Sequence, residues 1–194
     1  IGNFMMNKKV CIAGLKTGET LERAYDDFAK KKGIKKIRDI TKMSLVIPTV
    51  DVKLSKEFVF TNKIPENCED KTPYITDISV GKAVRASSSF PGVFCPYEYK
   101  DHIFLDGGTI DNIPVKEVTK CGADKVITVN FEPIQITGNS NVMDIVLRTI
   151  DIMGNKIIED DVEKSDFILT IPTDDEIGFL DSNQIEKCYK CGYK

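Results

Sequence analysis

The chain has one histidine, no apolar run near the ~20 residues that a bilayer-spanning helix needs, and no excess of positive charge. Each shortage removes a class of function. With 27 basic against 30 acidic residues the formal net charge is −3, so nothing electrostatic argues for a nucleic-acid partner. Without a long apolar run or a signal-peptide pattern, membrane contact is expected to be peripheral at most, and the protein cytoplasmic or peripherally membrane-associated. A single histidine leaves no pair for a Cys/His zinc site. Cys188 and Cys191 form the one Cys-x-x-Cys, with no second pair at a matching spacing, so no metal or other cofactor is expected. The remaining cysteines are scattered, which favours a reducing setting over a disulfide scaffold and makes Cys188 and Cys191 half-buried thiols of a terminal helix.

What is present is an ordinary globular mixture, 41% hydrophobic and 29% charged, enough for one sizeable core and one domain in 194 residues. Periodicity predicts an amphipathic helix over Glu19 to Lys32, with Leu21, Ala24, Tyr25 and Phe28 as its apolar stripe and Gly33 as its stop. Leu45-Val46-Ile47, bounded by Pro48, reads as a buried strand with Glu57-Phe58-Val59-Phe60 as hairpin partner. Ser79 is the expected N-cap of a helix to Ala86, with Ala83 and Val84 inward, ended by the turn Ser87-Ser88-Ser89-Phe90-Pro91-Gly92. His102 to Leu105 forms a short strand. Lys125 to Phe131 and Phe167 to Ile171 are further strands, the first expected to be buried. Asn141 to Glu163 is a long helix, and the end from Asp181 another. This alternation predicts an α/β fold, layered α/β/α with a largely parallel central sheet.

Open α/β sheets carry their sites just past the carboxyl ends of strands, which directs attention to Asp106-Gly107-Gly108. Glycines there permit positive φ and close backbone approach, so the turn can hold a carboxylate while leaving it free to accept a proton. Alone, Asp-Gly-Gly is too short to be specific. Its surroundings are Ala86-Ser87-Ser88-Ser89-Phe90-Pro91-Gly92-Val93-Phe94-Cys95-Pro96 before it, and Thr109-Ile110-Asp111-Asn112-Ile113-Pro114-Val115 after it. The run from Ala83 to Val115 resembles the patatin-like phospholipases, and Gly122-Ala123-Asp124 resembles that family's entry into its next strand. The resemblance implies a hydrolase of lipid acyl esters working by a Ser-Asp dyad, with Asp106 as proton acceptor, Gly107 and Gly108 supporting its loop, and a lipid or other acyl ester as substrate.

The lone histidine bears on that implication. His102 and Asp106 share a face of one extended strand but stand roughly 13 Å apart at ~3.3 Å per residue. A Ser-His-Asp triad built on Asp106 is therefore not expected. A Gly-x-Ser-x-Gly elbow is missing. Gly138-Asn139-Ser140-Asn141-Val142 lacks the second glycine, and Ser140 reads as a helix N-cap. Ser87, Ser88 and Ser89 match the family's turn before the aspartate, not its elbow. Gly14 to Thr20 lacks the ending that a phosphate loop requires. The chain begins at Ile1, so residues 1–194 are expected to be a partial patatin-like domain whose first strand, oxyanion loop and elbow lie in a missing N-terminal portion. Alone, it should be inactive and aggregation-prone. Two other readings stand beside this one: a non-catalytic lipid- or protein-binding module of the same fold, and Asp106, Asp111 and Asn112 as oxygen ligands for Ca²⁺ or Mg²⁺. Phe90, Val93 and Phe94 are either core or the lining of an acyl groove.

Overall fold

A computed structural model describes residues 14–66, 71–131, 142–172 and 185–193. In chain order its elements are β1 (Gly14–Lys16), α1 (Glu19–Lys31), β2 (Val46–Asp51), β3 (Lys56–Thr61), β4 (Tyr74–Ile75), α2 (Val80–Ser87), β5 (Gly92–Phe94), β6 (Tyr97–Tyr99), β7 (His102–Asp106), α3 (Val115–Lys120), β8 (Ile127–Phe131), α4 (Val142–Glu163), β9 (Phe167–Ile171) and α5 (Ile185–Tyr193). Nearly every element expected from the sequence is there. Ser140 lies outside the described residues.

The mixed α/β character holds, but the central sheet is not largely parallel. Five strands order as β4-β3-β2-β7-β6, and only β3–β4 is parallel; β2–β3, β2–β7 and β6–β7 are antiparallel. Short connections decide this. Residues 52–55 join β2 to β3, with Ser55 at φ 49°, and Lys100 (φ 53°) with Asp101 joins β6 to β7. Links of two to four residues only close antiparallel pairs, whereas a parallel pair needs a long crossover. Such crossovers occur outside the main sheet, where β1 pairs in parallel with β5 and β8 with β9.

Pro48 is not the end of its strand. β2 runs through it to Asp51, and β7 pairs only with Thr49, Val50 and Asp51. Pro48 stands just past the last of these partners, so its missing N–H breaks no bond of that ladder. The core is built by Phe58 and Phe60 of β3, Phe104 of β7, Ile37, Ile78, and Ala83 and Ala86 of α2. Phe104 meets Phe58 and Phe60 edge-on at centroid distances of 5.5 and 5.4 Å, an arrangement aromatic pairs favour.

Helix α2 lies on β2 and β7, and α1 lies against α2. The face of α1 differs from the expected stripe. Ala29 is buried, Glu22 and Asp26 are half-buried, and Tyr25 and Phe28 are exposed, Phe28 to 64%. The reason is polar. The Asp26 carboxylate accepts the Gly81 N–H (2.7 Å) and the Ser79 hydroxyl (3.1 Å), which turns the acidic face toward the start of α2. Ser79 caps α2 as expected, its oxygen accepting from the Lys82 N–H.

β8 is also not buried. Thr128 points inward, while Ile127, Val129 and Phe131 alternate on the opposite face and are exposed, as are Phe167, Ile168 and Leu169 of β9. Cys95 is disulfide-bonded, an exception to the thiol state expected from the cysteine spacing. Cys188 and Cys191 are free thiols on α5, Cys188 exposed rather than half-buried. Among the described residues no helix is long and apolar enough to cross a membrane.

Candidate active site

Asp106 is the last residue of β7, set opposite Thr49 of β2. The buried Thr49 hydroxyl donates to the Leu105 carbonyl (2.8 Å), and the Asp106 N–H donates to the Ser89 carbonyl (3.1 Å). The backbone then turns at once into a short 3₁₀ helix, Gly107–Thr109, with Asp106 as its cap. Gly107 needs its missing side chain: a Cβ there would stand 2.3 Å from the Pro48 carbonyl oxygen, which is backbone and cannot give way. A Cβ on Gly108 would crowd the Asn112 side-chain oxygen (2.8 Å) and Asp106 Oδ1 (3.0 Å). Neither glycine has positive φ. Of the two uses of glycine expected from the sequence, close approach is the one that operates here.

The carboxylate is held by one oxygen. Asp106 Oδ1 accepts the Gly108 N–H at 2.8 Å, and among the described residues Oδ2 has no hydrogen-bond partner. Burial raises the carboxyl above its ordinary value, opposed by the Gly108 N–H. A half-buried carboxylate with one anchored and one open oxygen is a better base than a solvated aspartate.

The serine-rich turn supports this loop from behind. Ser89 is buried, and its hydroxyl accepts from Arg85 Nη1 (2.7 Å) and donates to the Arg85 carbonyl (3.0 Å). Arg85 is only 2% exposed and forms no salt bridge among the described residues; its Nε donates to the Thr17 carbonyl (2.7 Å) and its Nη2 to the Cys95 carbonyl (2.6 Å). The guanidinium also lies 5.2 Å from the Phe94 ring centroid and 5.8 Å from that of Tyr97. So Arg85 ties together β1, the serine turn and β5, and the serine turn holds the Asp106 backbone. The one sequence signal for it was an arginine on the alanine face of α2. Val93 is buried in the core, and Phe94 stacks on Arg85.

His102 belongs to a different pair. Its Nδ1 meets Asp51 Oδ2 at 2.5 Å, and the ring stacks on Phe104. Burial alone would raise the Asp51 carboxyl, yet His102 and the Lys53 and Leu54 N–H groups hold it below its ordinary value. This pair sits at the start of β7, with Asp106 at its end.

Sequence reading missed one cluster beside the aspartate loop. Glu57 of β3 faces Asp111, and Glu117 of α3 is buried next to them, accepting from the Tyr74 hydroxyl (2.8 Å) and Lys120 Nζ (2.5 Å). Glu57 and Asp111 are 54 residues apart in the chain, and only the fold brings them together. Asp111 is turned toward Glu57, and among the described residues no group of three or more His, Cys, Asp or Glu is arranged to hold a metal ion.

The family model for patatin-like phospholipases matches residues 8–119, more than half of the chain. The chain belongs to the patatin-like phospholipase family. Among its relatives, the lysophospholipase NTE1 of Meyerozyma guilliermondii is 45% identical over 47 residues, 24% of this chain and 3% of that protein. The lysophospholipase NTE1 of Debaryomyces hansenii is also 45% identical over 47 residues, with the same coverage. An NTE family protein of Mycobacterium tuberculosis is 32% identical over 71 residues, 31% of this chain and 20% of the relative. The chain thus spans a fifth or less of the length of these relatives.

Proposed function

We propose that this chain is the aspartate-bearing part of a lipid acyl hydrolase whose nucleophilic serine lies outside residues 1–194. The observation that carries the reading is the Asp106 carboxylate, anchored through Oδ1 on the Gly108 N–H with Oδ2 open. As the serine oxygen attacks an ester carbonyl, Asp106 takes the hydroxyl proton and then gives it to the departing alcohol, leaving an acyl-serine. Water attacks that acyl group, Asp106 accepts its proton, and the serine leaves protonated as the carboxylic acid is released. Splitting the reaction through an acyl-enzyme replaces one high barrier with two lower ones. The relatives' name, lysophospholipase, suggests a lysophospholipid or similar acyl ester as substrate.

Two of the described serines are committed to other roles. Ser89 is buried with its hydroxyl committed to Arg85, and Ser79 caps a helix. The exposed apolar faces of α1 and of the β8–β9 pair support a further portion of the same domain packing there, because parallel strands are normally covered on both sides. By itself the chain should not hydrolyse esters.

A fluorophosphonate probe tests this reading on the full-length protein. It should modify one serine, block hydrolysis of a short-chain ester, and map outside residues 1–194. Labelling of Ser87, Ser88, Ser89 or Ser140 with the same loss of activity would overturn it.

A further inference from the structure

Two acids stand where the loop that carries Asp106 meets β3, Glu57 on the strand and Asp111 on the loop. Glu57 Oε1 and Asp111 Oδ1 are each buried without a hydrogen-bond donor among the described residues. Two facing carboxylates offer only acceptors, so a proton on one of them is the donor that both otherwise lack. Asp111 is in turn bound to the aspartate turn, since its N–H donates to the Gly107 carbonyl at 2.8 Å, and the next residue, Gly108, donates to Asp106.

We propose that Glu57 and Asp111 are positioning residues for Asp106: sharing one proton, they clasp the aspartate loop onto β3, and the clasp opens when that proton is lost. This rests on the role given to Asp106 above and adds a pH-dependent control of its placement. Neither acid touches substrate.

The surroundings favour a shared proton. Burial pushes the Glu57 carboxyl up to about 7, reinforced by Asp111 and Glu117 and opposed by Lys120. Burial likewise pushes Asp111 up to about 6, with Asp161 of α4 and Glu117 of α3 reinforcing it and Glu57 and Lys116 opposing. Glu117 itself is held by Tyr74 of β4 and by Lys120. Four carboxyl groups therefore act on one another electrostatically here, and the two lysines that oppose them come from α3. Because the two acids interact, they titrate as a pair. Their folded values lie above the ordinary carboxyl value, so the folded state holds the extra proton. The clasp is therefore complete below the ordinary carboxyl range, weakens as pH rises above it, and is lost once pH passes about 7.

Hydrogen exchange of the Gly108 amide in the full-length protein reads the clasp directly. In the wild type the protection factor should fall by up to about tenfold per pH unit between the ordinary carboxyl range and the pair's upper titration near 7, and level off above it. Glu57→Gln keeps the geometry and supplies a permanent N–H donor to Asp111, so the fall should disappear. Ester hydrolysis should follow: the alkaline fall in kcat shifts to higher pH in Glu57→Gln, while KM stays near the wild-type value. A flat wild-type protection factor between about pH 5 and 7, or an equal fall in both proteins, overturns the clasp whatever the ester rates are. If protection behaves as expected but ester hydrolysis is indifferent to Asp106→Asn, the clasp stands and the catalytic reading of Asp106 fails.

Discussion

Asp106→Asn in the full-length protein is expected to lower kcat for ester hydrolysis by about 10²–10⁴-fold, the usual contribution of a positioned proton acceptor. The amide cannot take a proton from an attacking hydroxyl. Its oxygen can still accept the Gly108 N–H that now binds Oδ1, so the turn should keep its shape. Stability should hold or rise slightly, because burial already disfavours the ionised carboxyl that the substitution removes. Urea denaturation beside the kinetics separates the two effects. A large fall in kcat with an unchanged midpoint is the expected pair of results. Loss of activity together with loss of the folded state would assign Asp106 a structural role instead.

Arg85→Met should have the largest effect on folding, a destabilisation of about 3 kcal/mol or more, read from the shift in urea midpoint. Replacing a buried charge with an apolar side chain is often neutral when its partners are replaced with it. Here the partners stay. The Thr17 and Cys95 carbonyls would lose their donors, and the Ser89 hydroxyl would keep only its bond to the residue 85 carbonyl. The buried Cys95 acceptor left without a donor costs roughly 1–3 kcal/mol, and the Thr17 carbonyl, on an exposed residue, adds less. The aromatic faces of Phe94 and Tyr97 would accommodate methionine, which limits the loss from packing. Because the Ser89 carbonyl holds the Asp106 N–H, the variant should also lose kcat out of proportion to the population that remains folded. A stable variant with normal kcat would mean that the serine turn holds its place without the guanidinium.

Much of this fold was legible in local patterns, and the exceptions have physical causes. The helix at Glu19, the Ser79 cap and the strand ending in Asp106 follow from periodicity and capping chemistry, which act over a few residues. Sheet direction does not follow from alternation of helices and strands. It was decided by the short links at Ser55 and Lys100, where two residues accept positive φ and close hairpins. The wrong face of α1 arose because Asp26 binds the start of α2, a polar contact between elements more than fifty residues apart that outweighs the burial of Tyr25 and Phe28. Composition alone predicts a buried β8, yet burial depends on what covers a strand.

The candidate site divides the same way. Asp106, Gly107 and Gly108 stand out only through the contiguous run around them, Ala83 to Val115, and its resemblance to the patatin-like family. The Glu57–Asp111 pair and the Asp51–His102 pair could not be picked out, since each joins residues distant in the chain that only the fold brings together. Arg85 lay between these cases, visible as a charge on an apolar helix face but without any sign of its three acceptors.

The role of Asp106 is tested most directly by the rate at which a fluorophosphonate phosphorylates the nucleophilic serine of the full-length protein, wild type against Asp106→Asn. Attack on phosphorus needs the same removal of the serine proton and involves neither acyl-enzyme hydrolysis nor product release. Labelling is predicted to slow by about a hundredfold or more in Asp106→Asn, with the same serine modified in the end. Equal labelling rates in the two proteins would contradict the assignment of Asp106 as the proton acceptor.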